Sequence, residues 1–218
     1  MSQAPASDPR EPNFDRVAGI YRWAEYLSLG PILQRTRTHF LPALHDRRNA
    51  LLLGDGDGRF LARLLQQQPN LHALAVDTSP AMLQLLRTRC NNTPHLNTLQ
   101  SSALNIDIPP NTDLIVTHFF LDCLTQSEVD SLTTKIAAHT QPGTLWLLSD
   151  FEVSTASPIR SFAKLYIRAL YFAFRILTGL RVHTLPNPQS SLQQSGFTRI
   201  ARHQKLFGLI YTELWSRI

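Results

Sequence analysis

The sequence has few of the patterns that mark metal centres, disulfide frameworks or membrane spans. It contains two cysteines, Cys90 and Cys123, and neither they nor its eight histidines follow a metal-ligand spacing. We therefore expect no bound metal and no disulfide framework, which favours a reducing, cytoplasmic compartment. The sequence has no uninterrupted apolar run of about 18 residues, so it predicts no transmembrane helix.

The composition is that of a globular protein. Of 218 residues, 43% are hydrophobic and 17% are charged, which is enough apolar material for a sizeable core. Residues 1–13 are polar and rich in proline and lack the apolar core of a signal peptide, so we expect a frayed tail there and one domain over 14–218. The net charge of +5 has two interpretations, a scattered excess of arginine or attraction to anionic lipid or nucleic acid.

Strand and helix patterns alternate through the middle of the chain. Helical pieces are expected within 14–44, with a break near Gly30 and Pro31. Strands are then predicted at 50–53, 72–76, 96–100, 113–117 and 144–149, and helices at 59–67, 80–90 and 126–140. This alternation predicts a mostly parallel sheet with helices on both faces, a Rossmann-like α/β fold.

The last third breaks that rhythm. A long helix is predicted over 159–180 and a shorter one over 188–195, followed by strands at 198–206 and 209–215. Strands this close in sequence pair antiparallel, so the sheet should carry a C-terminal antiparallel hairpin.

A glycine-rich loop, Gly54-Asp55-Gly56-Asp57-Gly58, lies between the first strand and the helix that follows. Ligands of open α/β sheets bind at this end of the strands, and glycine permits sharp turns and close ligand approach. A bound phosphate would meet Asp55 and Asp57, each at a cost of roughly 4 kcal/mol at about 4 Å. The loop therefore favours a cationic ligand over a dinucleotide, although Asp57 is equally suited to capping the helix.

Asp77 ends the second predicted strand, 23 positions beyond Gly54. A carboxylate at this place accepts hydrogen bonds from ribose hydroxyls in nucleotide-binding folds. Capping of the next helix is the alternative, but Ser79 is available for that task.

These segments resemble the class I S-adenosylmethionine-dependent methyltransferases, in particular the small-molecule group that includes the ubiquinone and menaquinone C-methyltransferases. The glycine loop, the segment Val76–Leu83 and the segment Phe14–Tyr21 carry the resemblance. It implies S-adenosylmethionine as cofactor and S-adenosylhomocysteine as product. The cofactor-binding residues that it implies are Tyr21, Gly54, Asp55, Gly56, Gly58, Asp77, Thr78, Met82, Ser102, Ala103, Thr117, His118 and Phe119.

Two positions depart from the family pattern. Leu52 stands where the family usually has an acidic residue, and Ser102 stands where it often has aspartate. Asp55 is expected to supply the missing negative charge near the cofactor's ammonium group.

Three residues near the ends of the fourth and fifth strands are candidate catalytic groups. Methyl transfer needs a base where the acceptor must lose a proton, and His118 is the first candidate, with packing against the cofactor as its alternative role. Asp122 is expected either to orient His118 or to cap the helix near Gln126. Asp150 is an equally plausible carboxylate on the acceptor side, and Glu152 is a weaker one.

The long helix over 159–180 has a basic stripe beside a wide apolar arc. It is expected to pack under the N-terminal helices, to cover an apolar or aromatic acceptor, or to contact a membrane surface or a second subunit. Residues 159–196 are thus interpreted as an acceptor-recognition insert.

The resulting hypothesis is methyl transfer to a small acceptor, with no nucleic-acid partner. The alternatives are an RNA methyltransferase, a non-catalytic partner protein on the same fold and a nicotinamide-dependent oxidoreductase.

Overall fold

The computed structural model describes residues 30–152 and 185–218. Within them the helices are α1 Gly30–Arg37, α2 Arg59–Gln67, α3 Pro80–Arg89, α4 Gln126–His139 and α5 Pro188–Gln194. The strands are β1 Asn49–Leu53, β2 His72–Asp77, β3 Leu96–Gln100, β4 Leu114–His118, β5 Leu145–Phe151, β6 Phe197–Lys205 and β7 Ile210–Arg217. The predictions for the tail 1–13, for Tyr21 and for the helix over 159–180 lie outside the described residues.

Local side-chain chemistry fixes where several helices begin. Ser79 caps α3 by accepting a hydrogen bond from the backbone N–H of Met82 at 3.2 Å, with Pro80 at the first helical position. At α4, Thr125 accepts from the N–H of Glu128, whose carboxylate in turn accepts from the N–H of Thr125. This capping box satisfies backbone donors that the helix itself leaves unpaired.

The seven strands form one sheet in the order β3-β2-β1-β4-β5-β7-β6. The first five in this order pair in parallel, while β7 runs antiparallel to both β5 and β6. The predicted fold class is therefore confirmed, including the antiparallel C-terminal hairpin. The strand predictions were each right to within two residues.

Each face of the sheet carries its own hydrophobic layer. On one face, called here the α2 face, Leu52 and Val116 pack with Phe60 of α2. On the opposite face, called here the α4 face, Ile115 and Trp146 pack with side chains of α4 and α5. Because the side chains of successive strand residues point to opposite faces, two neighbouring residues at the end of a strand contact different hydrophobic layers.

The chain order reverses direction between β1 and β4. Strands β1 to β3 extend the sheet one way and β4 to β5 extend it the other way. A crevice opens at such a reversal, outside the carboxyl ends of the strands, and it is where ligands bind in open α/β sheets. The loops that follow β1 and β4 flank this crevice.

Candidate functional site

The glycine loop connects β1 to α2 with three glycines in the left-handed region, at φ values of +66°, +63° and +76° for Gly54, Gly56 and Gly58. A Cβ atom on Gly54 would lie 2.5 Å from the ring of Phe120, and one on Gly58 would lie 2.8 Å from Leu86 Cγ. A Cβ on Gly56 would meet nothing within 4 Å among the described surroundings. Gly54 and Gly58 thus permit close packing, while Gly56 borders open space at the crevice.

Asp55 turns toward the first turn of α2. Its Oδ2 accepts a hydrogen bond from the backbone N–H of Leu61 at 3.3 Å. Burial raises the pKa of Asp55 to about 7, against the opposing influence of Arg37. Asp55 is therefore only partly charged near neutral pH.

Asp57 is held by two arginines. Its Oδ2 accepts from Arg59 Nε at 3.0 Å and from Arg89 at 2.9 Å. The residue that caps α2 is Gly58, without a side-chain hydrogen bond, so the prediction that Asp57 caps the helix was wrong. These pairings also remove the electrostatic reason given for a cationic ligand, because most of the loop's negative charge is already compensated.

Asp77 lies at the carboxyl end of β2, partly exposed. Its Oδ1 accepts from the backbone N–H of Ser79 at 2.9 Å, while the cap of α3 is Ser79 itself. The alternative role of Asp77 as the helix cap is thereby corrected. Thr78 is also partly exposed, and Met82, in the first turn of α3, is buried.

The loop after β3 is hydrogen-bonded to the carboxyl end of β2. The backbone N–H of Ser101 donates to the carbonyl of Asp77 at 3.1 Å. Ser102 is partly exposed and Ala103 packs into the α4-face core. The predicted ribose and adenine segments are thus brought together beside the crevice.

Thr117 and His118 end β4 and point to opposite faces. Thr117 Oγ1 accepts from Trp146 Nε1 at 2.8 Å and is fully buried. The side chain of Thr117 therefore belongs to the core.

His118 begins a buried hydrogen-bonded chain on the α2 face. Ser149 Oγ donates to Thr212 Oγ1 at 2.9 Å, so toward His118 it acts as acceptor and His118 Nδ1 donates to it, also at 2.9 Å. His118 Nε2 then carries the lone pair. It is buried and has no hydrogen-bond partner among the described residues, and the ring packs edge-on against Phe60 with centroids 4.5 Å apart. Burial, helped by the charge of Arg37, holds the pKa of His118 well below its usual range.

Phe119 follows with a positive φ of 54°, which is uncommon for a residue with a side chain. Its N–H donates to the carbonyl of Ser149 at 2.7 Å, and its ring lies 5.0 Å from that of Phe151, centroid to centroid. The guanidinium of Arg37 sits 5.1 Å above the same ring. The ends of β4 and β5 therefore present two partly exposed aromatic rings.

Asp122 and Asp150 form a buried carboxyl pair on the α4 face. Asp150 Oδ2 accepts from the backbone N–H of Asp122 at 3.1 Å, and Asp150 Oδ1 accepts from that of Phe151 at 2.9 Å. The two carboxyl groups also hydrogen-bond each other, and burial together with the neighbouring charge raises the pKa of Asp150 well above its usual range. Carboxyl groups this close share a proton, because both cannot ionise together.

This pairing corrects the two roles predicted for Asp122. His118 is held by Ser149 rather than by Asp122, and α4 is capped by Thr125. Glu152, the weaker candidate, is engaged in an ion pair with Arg202.

Sequence reasoning missed Arg37 and Ser149. Arg37 ends α1 and is 8% exposed, but in the sequence it is one arginine among many. Ser149 has no local signal either, because its role depends on the register that places it beside His118.

Residues 50–143 match the family model described as a methyltransferase domain. They begin in β1 and end just before β5, and they include the glycine loop, Asp77 and His118. This match covers less than half of the chain and indicates a methyltransferase domain over these residues. The narrower resemblance to quinone-biosynthesis C-methyltransferases stays a prediction.

Solved structures share this fold at low sequence identity. The mitomycin 7-O-methyltransferase MmcR is 17% identical with a TM-score of 0.68, over 94% of this chain and 61% of that one. An O-methyltransferase family 2 protein from Planctomyces limnophilus DSM 3776, in complex with apigenin, is 18% identical with a TM-score of 0.67, over 90% and 61%. The N-methyltransferase NodS from Bradyrhizobium japonicum WM9, in complex with S-adenosylhomocysteine, is 15% identical with a TM-score of 0.62, over 85% and 87%.

The chain spans about three fifths of the length of several of these structures, 57% of the methyltransferase SibL and 61% of MmcR. No curated protein matches it in sequence. Over residues 30–152 and 185–218, no helix is long and apolar enough to cross a membrane, and no group of acidic, histidine and cysteine side chains is arranged to hold a metal ion.

Proposed function

We propose that the protein transfers the methyl group of S-adenosylmethionine to a small apolar or aromatic acceptor. The proposal depends on the glycine loop and Asp77, which lie beside the crevice where the strand order reverses between β1 and β4. The sheet also has β7 inserted antiparallel between β5 and β6. The methyltransferase domain match over 50–143 supports the same activity.

The crevice suits a nucleoside with an amino-acid tail. Gly56 leaves open space for close approach of a ligand to the backbone, with Gly54 and Gly58 shaping the turn and Asp55 contributing through its main chain and partial charge. Asp77 is placed to accept the ribose hydroxyls. Adenine would lie against the residues that cluster with Asp77, namely Thr78, Met82, Ser102 and Ala103. When bound, the cofactor supplies an electrophilic methyl group on a sulfonium centre.

The acceptor side is aromatic. The rings of Phe119 and Phe151 lie 5.0 Å apart, centroid to centroid, at an angle of 50°, and Phe120 packs on the glycine loop at Gly54. Such rings favour a planar or apolar molecule and keep water from the reacting pair, which helps a reaction that consumes the sulfonium charge. Two similar structures, the mitomycin 7-O-methyltransferase MmcR and an O-methyltransferase family 2 protein in complex with apigenin, support a small-molecule acceptor.

We assign proton removal to the Asp122–Asp150 pair, with His118 as the second candidate base. With one proton shared, the pair carries one negative charge and becomes neutral on taking the acceptor's proton. A raised carboxyl pKa brings a base closer to neutral pH, whereas the lowered pKa of His118 weakens it. The pair also adjoins Phe151, since Asp150 Oδ1 accepts from its backbone N–H.

Cys90 and Cys123 are both free thiols, in keeping with a reducing, cytoplasmic location. Contact with a membrane surface or a second subunit through 159–180 stays a prediction.

The test is a comparison of ligands and acceptors. We expect S-adenosylhomocysteine, but not NAD, to raise the melting temperature, and we expect S-adenosylmethionine to be converted to S-adenosylhomocysteine with at least some acceptors in a panel of phenols and aromatic amines. A protein that binds S-adenosylhomocysteine but turns over no panel member would favour the non-catalytic alternative. Salt-sensitive binding to RNA would favour an RNA methyltransferase.

A further inference from the structure

Two histidines stack where the end of α1 meets the C-terminal hairpin. His39 lies just beyond α1, and His203 lies in β6. Their rings are nearly parallel, at an angle of 13°, with centroids 3.7 Å apart. We call this pair the histidine stack. Since α1 packs on β6 and β7, the stack joins the segment that follows α1 to the hairpin.

The stack is built for neutral rings. His203 Nε2 is buried and has no hydrogen-bond partner among the described residues. A protonated imidazole has N–H donors on both nitrogens, so a protonated His203 would leave a buried N–H unpaired, which destabilises the contact. The neutral ring avoids this by carrying its one proton on Nδ1.

The charged groups that face the stack are themselves cationic or become so. Burial lowers the pKa of His39, and the neighbouring His203 and Lys205 lower it further. Burial and Lys205 likewise lower the pKa of His203. The other side chains beside the two rings are uncharged, namely Phe40, which packs edge-on against His39, and Thr212 of β7, which is paired with His203.

The segment held by the stack also reaches the crevice. Arg37 ends α1, two residues before His39, and its guanidinium carbon lies 5.1 Å from the centre of the Phe119 ring, immediately after β4. Its charge acts on Asp55 of the glycine loop and on His118. A displacement of this segment would therefore change both sides of the crevice.

We propose that the histidine stack is an acid-sensitive contact, which holds the segment after α1 on the hairpin and releases it when the rings take up protons. An exposed histidine titrates near pH 6.5, so the released segment binds protons more readily than the docked one. Docking therefore weakens as the pH falls below about 6.5. Because Arg37 packs on Phe119, release also disturbs the cofactor site, a step that rests on the proposed function.

Hydrogen exchange of the full chain tests the release. The N–H groups of His39 and Leu41 bond to the carbonyls of Thr36 and Thr38, both at 3.2 Å, so they exchange when this segment opens. After correction for the intrinsic exchange rate, we expect their protection to fall from about pH 7.5 to about pH 5.5. The expected fall is about threefold to tenfold for each proton that the docked state excludes.

The double variant His39→Phe/His203→Phe keeps two stacked rings and removes both titrating groups. We expect its protection to fall at least about threefold less than that of the wild type over the same range. His45→Phe, at an exposed position further along the segment, is the matched control and should behave as the wild type does. An equal fall in the wild type and the double variant would overturn the proposal. Should the double variant fail to fold, an NMR titration of the wild type decides, because pKa values at or above 6.5 for both rings would overturn it.

Calorimetry with S-adenosylhomocysteine tests the consequence for the crevice. Asp55 and His118 interact with Arg37 in both proteins, so the difference between the wild type and the double variant isolates the stack. From about pH 7.5 to about pH 5.5, we expect the wild-type affinity to fall about threefold or more beyond that of the double variant. An identical fall in both would overturn the coupling to the crevice. Absence of binding at either pH would instead refute the proposed cofactor site, while the exchange measurement would still decide the acid-sensitive release.

Discussion

The two halves of the sheet, on either side of the β1–β4 crevice, organise their polar groups differently. In the β1–β2–β3 half, the key groups lie in short continuous segments such as 54–58 and 77–79, and Asp77 bonds to a residue two positions away. In the β4–β5–β7 half, His118 and Ser149 are 31 positions apart, and Asp122 and Asp150 are 28 apart. The glycine loop and the Asp77–Ser79 contact are thus encoded locally, whereas the proposed acceptor half exists only once the strands have paired.

The largest expected effect tests whether the acceptor half performs the chemistry. Asp150→Asn replaces a group of the carboxyl pair by an amide that takes up no proton. We expect turnover to fall roughly 10²- to 10⁴-fold with the affinity for S-adenosylhomocysteine unchanged within about threefold. Steady-state kinetics and calorimetry measure the two quantities, and Glu152→Gln, two residues further along the chain and just beyond β5, is the control. A comparable loss of affinity for S-adenosylhomocysteine would contradict the assignment of the chemistry to one half of the sheet and cofactor binding to the other.

The next effect tests the cofactor half. Asp77→Ala removes the acceptor expected to hold the ribose, and we expect S-adenosylhomocysteine to bind about 100-fold more weakly, from the loss of charge-assisted hydrogen bonds. Asp77→Asn, which retains an acceptor for the N–H of Ser79, separates this loss from loosening of α3. Asp107→Ala, at an exposed position, should leave the thermal shift intact. An unchanged shift in Asp77→Ala would refute the ribose assignment.

A pair of glycine variants sharpens the comparison within the loop itself. Gly56→Ala and Gly58→Ala both place a methyl group at positive φ, which costs about 1–2 kcal/mol, but only Gly58→Ala also drives it against Leu86, at 3.0 Å from the Cα atom. We expect Gly58→Ala to be the less stable protein, and Gly56→Ala to lose about tenfold or more in affinity for S-adenosylhomocysteine by filling the open space. Thermal unfolding and ligand titration distinguish them. Equal stability of the two would contradict the close packing seen at Gly58.

The smallest expected effect is a pH dependence of stability from His118. Since its pKa in the folded protein lies well below 6.5, the unfolded chain binds a proton more readily, and the folded state loses stability as the pH falls below about 6.5. The slope from this residue is at most about 1.4 kcal/mol per pH unit. His118→Gln should flatten the curve of unfolding free energy between about pH 5 and pH 6.5, and an unaltered slope would mean that His118 titrates normally.

The site follows from sequence where its contacts are local, and the cofactor half contains a long-range exception. The strands, the cap at Ser79 and the glycine loop were predictable because each depends on residues within a few positions. The ion pair between Asp57 and Arg89 spans 32 positions. The loop sequence alone therefore did not indicate that the charge of Asp57 is compensated, and the inference of a cationic ligand from that charge was wrong. Thr117 and His118 were both placed at the crevice, but which face each side chain serves follows from strand register, and the register is set by the whole sheet.

The position of β7 has a consequence for how the protein assembles. Within the described residues, β6 pairs only with β7, which itself lies between β6 and β5. During synthesis β6 therefore emerges without a neighbour, and β5 keeps an unpaired edge until β7 has been made. That open edge is a site for wrong pairing with other chains, so we expect the nascent protein to be most prone to aggregation in the interval just before residues 210–217 become available.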